Sequence, residues 1–398
     1  MDEEKKIMGV RKNIFFLGLV SMFNDLSGEM VQSVMPVFLT SVLGAPAVFV
    51  GFIDGAADAI SSVLKVVSGW FSDKVHKRKL PAVVGYVISD ATRWFLMFAQ
   101  NVWQVFGLRV ADRVGKGFRD APRDALIAES APESELGRSY GFHRAMDTLG
   151  ATIGPLSAFF LLPFLGGSYR KLFFIAFVLG FLAIASFVFV KDKKIEGTVQ
   201  KPRPRLNWNL FRTHRRFVSI VISIFVFGLG TLPIALVLLK AKEVGNVADV
   251  PLMYFVYSLA FVFFSIPLGR LADRIGERAV IAGGFLVAVL AYIGLLSSAH
   301  IVMLTASFAA LGVYSAATDG MQRMLAAKAF GAEHELIATA QGFLNMAVGF
   351  SSLGAGLIGG LLWTSVDSSA ALGYAAAVSL IGCALFLVVS AERVRHRA

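Results

Sequence analysis

The sequence predicts an all-α membrane protein: twelve transmembrane helices in two pseudo-symmetric six-helix bundles, both termini cytoplasmic. Three observations carry this. The chain is too apolar to cover a soluble surface, segments of spanning length recur twelve times, and one half repeats the other. Of its 398 residues, 56% are apolar and only 16% are charged, with a mean hydropathy of +0.68. A soluble domain carries roughly 25% charged residues, so water cannot be the main solvent. The same figures exclude disordered, collagenous and coiled-coil chains. A net charge of +11 would suggest nucleic acid in a soluble protein. In a membrane protein it reports basic loops facing lipid headgroups, so membrane lipids and no nucleic acid are the expected partners. The single Cys383 excludes an internal disulfide and a Cys-built zinc site.

A spanning helix needs about 20 mostly apolar residues. The segments that qualify are 14–42, 47–71, 80–99, 103–128, 136–165, 172–190, 217–239, 251–271, 279–298, 301–328, 336–363 and 370–390. Several exceed the bilayer thickness and must tilt or project. The first is longer than a signal-peptide core of about 7–15 residues. It contains Asp25 and Glu29 and no small-residue cleavage site, so it is expected to be retained. Charge dilutes the first, second, fourth and fifth segments most. The bases before the first span, after the second and eighth, in 191–216 and at the end of the chain share one side if the spans number twelve. Only Arg170, Lys171, Lys240 and Lys242 face the other. That asymmetry makes the basic side cytoplasmic. Segment 191–216 is the one long polar interruption, separating a bundle of 1–190 from one of 217–398. Pro202 and Pro204 favour an extended linker, although Trp208, Leu210 and Phe211 among bases also suit a short surface helix.

Charges inside the spans are few, and each needs a reason. Asp25 and Glu29 stand i,i+4 on one face of the first span. Asp25 lies about 18 Å along the helix from Asn13, near mid-bilayer. A carboxylate there is a proton-binding site or half of a static ion pair. The second span repeats the spacing with Asp54 and Asp58, placed to line a cavity mouth or pair across to the fourth; Lys65 lies deeper, as a structural or gating group. Asp90 and Arg93 in the third span form an i,i+3 pair. The fourth is the most charged, with Arg109, Arg113 and Lys116 on one face. Such a stripe cannot face lipid and must face a cavity or the first span. Arg113 lies about 15 Å into the helix, near the depth of Asp25. Gly115-Lys116-Gly117 lacks the spacing of a phosphate loop. In the fifth span Arg144 and Asp147 form another i,i+3 pair, ahead of Gly150, Gly154 and Pro155, a small-residue surface with a break in the helix. The second half keeps Asp319 and Arg323 and is otherwise apolar, with Tyr257, Tyr314, Gln341 and Asn345 as polar candidates and Phe227, Phe261 and Phe343 as packing or substrate contacts.

The repeat is explicit. Gly69-x-x-x-Asp73-Lys74 with Arg78 matches Gly269-x-x-x-Asp273-Arg274 with Arg278 at an offset of 200 residues. Glu135-Leu136 and Gly141-Phe142 likewise match Glu335-Leu336 and Gly342-Phe343. Duplicated six-helix halves are a transporter architecture. On these motifs the chain resembles the major facilitator superfamily over essentially its whole length. The family's loop signature, G-x-x-x-D-R/K-x-G-R/K-R/K, reads here with His76 for its Gly, and in the second copy with Glu277 for a base. Arg113-x-x-Lys116-Gly117 looks like the family's R-x-x-Q-G with Lys for Gln. Gly150-x-x-x-Gly154-Pro155-x-x-Ala158 resembles the motif of its proton-coupled drug and metabolite antiporters, with Ala for the last Gly.

The resemblance implies that Arg113 modulates the proton-binding carboxylate. It also implies that Asp73 and Asp273 close the inner side against the helices beginning near Glu335 and Leu136, with Gly69 and Gly269 allowing close helix approach. The expectation is an exporter working by alternating access, exchanging a small molecule for protons. Asp25, Glu29, Asp54, Asp58, Arg109, Arg113 and Asp147 would line its proton and substrate cavity. It would reside as a monomer in the plasma or inner membrane, need no cofactor beyond the proton gradient, bind no metal as a cofactor, and catalyse no reaction. A proton-coupled importer or uniporter of a small, anionic metabolite is the alternative, as is a divalent-metal exporter using the four carboxylates. The six histidines are scattered without catalytic or metal-binding spacing, which argues against an enzyme.

Overall fold

In lipid a backbone must satisfy its own hydrogen bonds, and helix does so within one segment. The computed structural model describes residues 6–72, 78–191, 214–298, 300–329 and 334–395. Its helices are α1 Lys12–Val37, α2 Ala47–Ser72, α3 Lys79–Leu96, α4 Val102–Ser130, α5 Leu136–Phe164, α6 Tyr169–Ser186, α7 Arg215–Gly230, α8 Ile234–Val244, α9 Asp249–Ile275, α10 Glu277–Leu296, α11 Ile301–Ala329, α12 His334–Ser365 and α13 Ser368–Arg395. With α7 and α8 taken as one interrupted helix, the long helices number twelve among the described residues. Among the described residues, ten helical segments are long and apolar enough to cross a membrane. α3 and α4 fall short. α3 carries Lys79, Asp90 and Arg93 in its short length, and α4 is charged throughout. The first, second and fifth spans remain apolar despite their charges.

Four local features depart from the sequence expectation. The seventh span is interrupted at Pro233, which caps α8. There the Leu232 N–H donates 3.0 Å to the hydroxyl of buried Tyr292 instead of to a helix carbonyl. α5 is not broken at Pro155 but runs through it to Phe164. The second loop motif is not a loop: Gly269, Asp273 and Arg274 lie in the last turns of α9, which ends at Gly276 with φ +94°. A Cβ on Gly269 would meet nothing within 4 Å, so no helix packs closely against it. Finally, the charged N-terminal stretch forms a hairpin, β1 Lys6–Ile7 against β2 Val10–Arg11. Met8 (φ 50°) and Gly9 (φ 78°) make its turn, the double positive φ of a type I′ turn. Asp73, Lys74 and most of the 191–216 linker lie outside the described residues.

The chain divides into two compact units, Met1–Phe38 with Leu64–Lys201, and Leu39–Val63 with Pro202–Ala398. In the first, α1 lies along α5 and α6, and α3 along α4. Two glycine contacts set these crossings. A Cβ at Gly150 would overlap the Met22 carbonyl, and one at Gly154 would lie 2.6 Å from the Leu26 carbonyl oxygen. A Cβ at Gly85 would lie 2.6 Å from the Gly115 carbonyl oxygen. Gly115 therefore serves a helix crossing. The hairpin is tied to the α4–α5 turn: Lys6 Nζ donates to Glu135 Oε1 at 2.7 Å, and Arg11 Nε lies 3.6 Å from Glu135 Oε2. In the second unit, the first part of α2 packs antiparallel on α12. Gly51 meets Gly356, Gly55 meets Ser352, and Gly349 meets Ala59 and Ser62. Phe227 stacks on Phe285 with ring centroids 3.6 Å apart in the unit's core, with Tyr314 and Phe343 against it. That makes Phe227 a packing residue.

Adding one methyl group tests the glycine contacts. Gly150→Ala is expected to destabilise the detergent-solubilised protein by about 1–3 kcal/mol through overpacking. Gly269→Ala, with open space around it, is expected to be neutral or to stabilise by up to about 1 kcal/mol from helix propensity. Melting temperatures of the two variants check this, and equal losses would contradict it. The Lys6 hydrogen bond, aided by the Lys6 and Arg11 charges, holds the Glu135 carboxyl below its ordinary value. A lowered carboxylate pKa contributes stability above the unfolded value and loses it as pH falls through the folded one. Exchange protection of the hairpin amides should therefore be flat at neutral pH and fall only below the ordinary glutamate range.

Candidate functional site

The functional side chains of the first unit converge because α1, α3 and α4 each turn a polar stripe inward. Between them lies a cavity of ≈ 60 Å³, room for a few waters. Its α1 wall is Asn24, Asp25, Glu29 and Gln32. Its α4 wall is Arg109, Asp112, Arg113, Lys116 and Arg119, and α3 adds Arg93. These charges survive away from bulk water because most are bonded to one another. Asn24, 3% exposed, is the hub. Its Oδ1 accepts from Arg93 Nη2 at 3.1 Å and from Arg119 Nη1 at 2.8 Å, and its Nδ2 donates to Asp25 Oδ1 at 2.9 Å. Its backbone carbonyl accepts a further 3.2 Å bond from Arg93 Nη2. Arg93 is also paired with Asp90 at 3.2 Å, the expected i,i+3 pair. The Arg119 guanidinium lies 4.6 Å over the Tyr86 ring and 3.5 Å from Asp120, a cation–π contact in a dry site.

α5 supplies the second carboxylate. The glycine contact with α1 brings Asp147 beside Ser21, whose hydroxyl donates to Asp147 Oδ1 at 2.7 Å. Arg144 Nη1 donates to Asp147 Oδ2 at 3.0 Å. The Asp25 and Asp147 carboxyl groups are neighbours, and the charges of Lys116 and Arg119 act on Asp25. Arg113 lines the same cavity but sits 3.8 Å from its neighbour Asp112. Lys116 and Arg119, one and two turns further along α4, act on Asp25 as well. Lys116 itself makes no hydrogen bond or ion pair among the described residues.

Of the predicted site residues, Asp25, Glu29, Arg109 and Arg113 share this cavity, and Asp147 backs it through Asp25. Asp54 and Asp58 do not line it. Asp58 accepts a 2.9 Å bond from Ser352 Oγ of α12, where the Gly51 and Gly55 stripe seats this part of α2 on α12. Of the first loop motif, Arg78 lies 3.4 Å from Glu129 at the end of α4. Gly69 falls in α2, in a stretch whose side-chain surroundings lie outside the described residues. In the second copy, Asp273 and Arg274 are exposed, and Arg278 is in the first turn of α10. Two participants escaped the sequence reading. Asn24 is uncharged and carries no titration signal. Arg119 had a signal: it continues the Arg109, Arg113, Lys116 stripe at i+3.

A model of the Major Facilitator Superfamily matches residues 17–245 and 218–398. The chain belongs to that superfamily. An uncharacterized MFS-type transporter of Methanocaldococcus jannaschii is 32% identical over 393 residues, covering 95% of each chain. The quinolone resistance protein NorA of Staphylococcus aureus is 27% identical over 228 residues, 56% of each chain. Among solved structures, the nucleoside transporter NupG superposes with a TM-score of 0.76 at 13% identity, covering 94% of this chain and 98% of its own. A POT family transporter does so at 0.79 and 12%, covering 98% of both. The chain is therefore a multi-pass membrane transporter of the superfamily's all-helical fold and not an enzyme.

Because Asn24 satisfies two buried guanidinium groups at once, Asn24→Ala should cost about 3 kcal/mol or more. It should cost much less in an Arg119→Met background, where one stranded charge is already gone. A double-mutant cycle of melting temperatures checks this, and simple additivity would contradict it.

Proposed function

We propose that this chain is a secondary active transporter that works by alternating access and exports a small molecule in exchange for protons. The observation that carries the reading is the Asp25–Asp147 carboxyl pair at the wall of a charged cavity. Two neighbouring carboxyl groups can hold one proton between them, and loss of that proton sets two negative charges side by side. The pair thus has two charge states, each facing the cations of α4. Lys116 and Arg119 set their positive charge against the pair, and a substrate entering the cavity changes that balance. In the proposed cycle the proton gradient is the sole energy source, and no cofactor takes part.

The proposed frame is two six-helix bundles, 1–190 and 217–398, joined by the 191–216 linker. A monomer would sit in the plasma or inner membrane with both termini cytoplasmic, as its basic loops favour. The repeated motifs at Gly69, Asp73, Lys74 and Arg78 and at Gly269, Asp273, Arg274 and Arg278 would act as paired gates at the cytoplasmic side. Export is supported by the likeness to NorA, a quinolone resistance protein, and by the α5 stripe of Gly150, Gly154 and Pro155, which keeps the α1–α5 contact tight.

The test begins with a ligand found by thermal stabilisation, then uses vesicles. Wild-type protein should move protons when substrate is added, and a pH gradient should drive substrate uphill. Asp25→Asn should abolish proton movement and uphill transport while leaving downhill substrate exchange measurable. Unchanged proton-driven transport in both Asp25→Asn and Asp147→Asn would defeat the reading.

A further inference from the structure

The cavity in the first unit has charges of opposite sign on its two walls. α1 presents Asp25 and Glu29, and α4 presents Arg109, Arg113 and Lys116, with Asp112 among them 3.8 Å from Arg113. A cavity serving only as a proton site needs one carboxyl group and a counter-ion. This one holds more. Arg93 and Arg119 are committed to Asn24, which fixes them in place. Lys116 has no such commitment, and its ammonium lies in the lining without a hydrogen bond or ion pair among the described residues.

Three kinds of ligand meet this arrangement differently. A simple cation would find α1 favourable but would face more bases than acids overall. A simple anion would find α4 favourable but would leave the α1 carboxylates facing its uncharged end. It would also bind together with a proton rather than in exchange for one, since protonating Asp25 makes the cavity more positive. A zwitterion satisfies both walls. Its ammonium occupies the place where a proton would otherwise neutralise Asp25, so substrate and proton compete, as exchange requires. The volume of ≈ 60 Å³ matches the charged head of such a molecule and not a bulky ring system.

We propose that this cavity is a two-ended subsite for the head group of a small zwitterion, with an ammonium against Asp25 and Glu29 and a carboxylate against Lys116 and Arg113. The inference rests on the exchange reading above and names the substrate class. Lys116 is the specificity-determining residue: its three donors reach an acid group that Gln could not charge-balance.

The experiment is binding to the full-length protein, without a gradient, by thermal shift and calorimetry. The probes are a panel of free α-amino acids, with each binder's deaminated carboxylic acid and decarboxylated amine as matched controls. At least one amino acid should stabilise the wild type, and its two controls should bind about tenfold more weakly or worse. Lys116→Gln should keep the unliganded melting temperature while weakening the amino acid about tenfold, and Lys116→Arg should restore most of it. Binding by no member of the panel, equal binding of the carboxylic acid or the amine, or unchanged affinity in Lys116→Gln would each overturn the proposal. A failure of the exchange reading shows separately, as zwitterion binding that persists without proton movement in vesicles.

Discussion

The approach of α5 to α1 is the contact on which the polar interior of the first unit depends. It exists because Gly150 and Gly154 have no side chain to hold the Met22 and Leu26 carbonyls away. In lipid there is little hydrophobic drive to bring helices together, so close backbone contact and buried polar bonds must hold them. Both occur on this one seam. The glycines set the distance, and Ser21 and Arg144 then fix the Asp147 carboxylate beside Asp25. A bulkier residue at either glycine would move Asp147 outward and leave two carboxyl groups in an apolar medium with fewer partners. The superfamily-like motif in α5 therefore reads first as a spacing device, with its chemical consequence one turn away.

The second constraint is charge. Each base of α3 and α4 would be costly in isolation. Asn24 lowers that cost by accepting from two guanidinium groups while donating to a carboxylate. An Asp at this position would accept equally well but could not donate to Asp25, and a Leu would strand both arginines. A neutral amide is thus the residue type that can join cations on two helices to an acid on a third. This also explains why α3 and α4 are too polar to pass as spans by composition yet are built as helices. Their polar faces are turned to each other and to α1, and their crossing is tightened at Gly85 and Gly115.

Much of this was legible in the sequence. Composition and segment length gave the helical membrane class, and helical spacing placed Asp25 with Glu29 and Arg109 with Arg113 and Lys116. The Asp90–Arg93 and Arg144–Asp147 pairs followed from i,i+3 geometry alone. What escaped has physical causes. Asn24 and Tyr86 act through contacts between distant segments, which periodicity does not register. The Ser352 bond to Asp58 was not foreseen, because the Gly51 and Gly55 stripe that seats α2 on α12 carries no charge signal. The break before α8 was hidden in a run of apolar residues. The pairing of its freed N–H with the Tyr292 hydroxyl is a tertiary event. Pro155 misled in the other direction: proline signals a break, but the buried small-residue seam carries the helix through it.

The two units place their polar groups differently, and this bears on mechanism. In the second, the buried aromatic cluster around Phe227 and Phe285 contains no acidic or basic side chain among the described residues, and tyrosines of the unit make local bonds such as Tyr257 to Ser315 at 2.9 Å. In the first, several charged groups are joined through Asn24, which bonds Arg93, Arg119 and Asp25, while Arg93 also holds Asp90. A connected set responds as a whole. Adding a proton or a charged ligand at one member alters the balance of attraction at all the others, and a packed apolar cluster offers no such response. If coupling between ion and substrate is a property of buried charge, it resides in the first unit, and the second is suited to rigid support and to apolar contact. Arg93 and Arg119 are held by Asn24, so in the proposed subsite the open end of the set falls to Lys116.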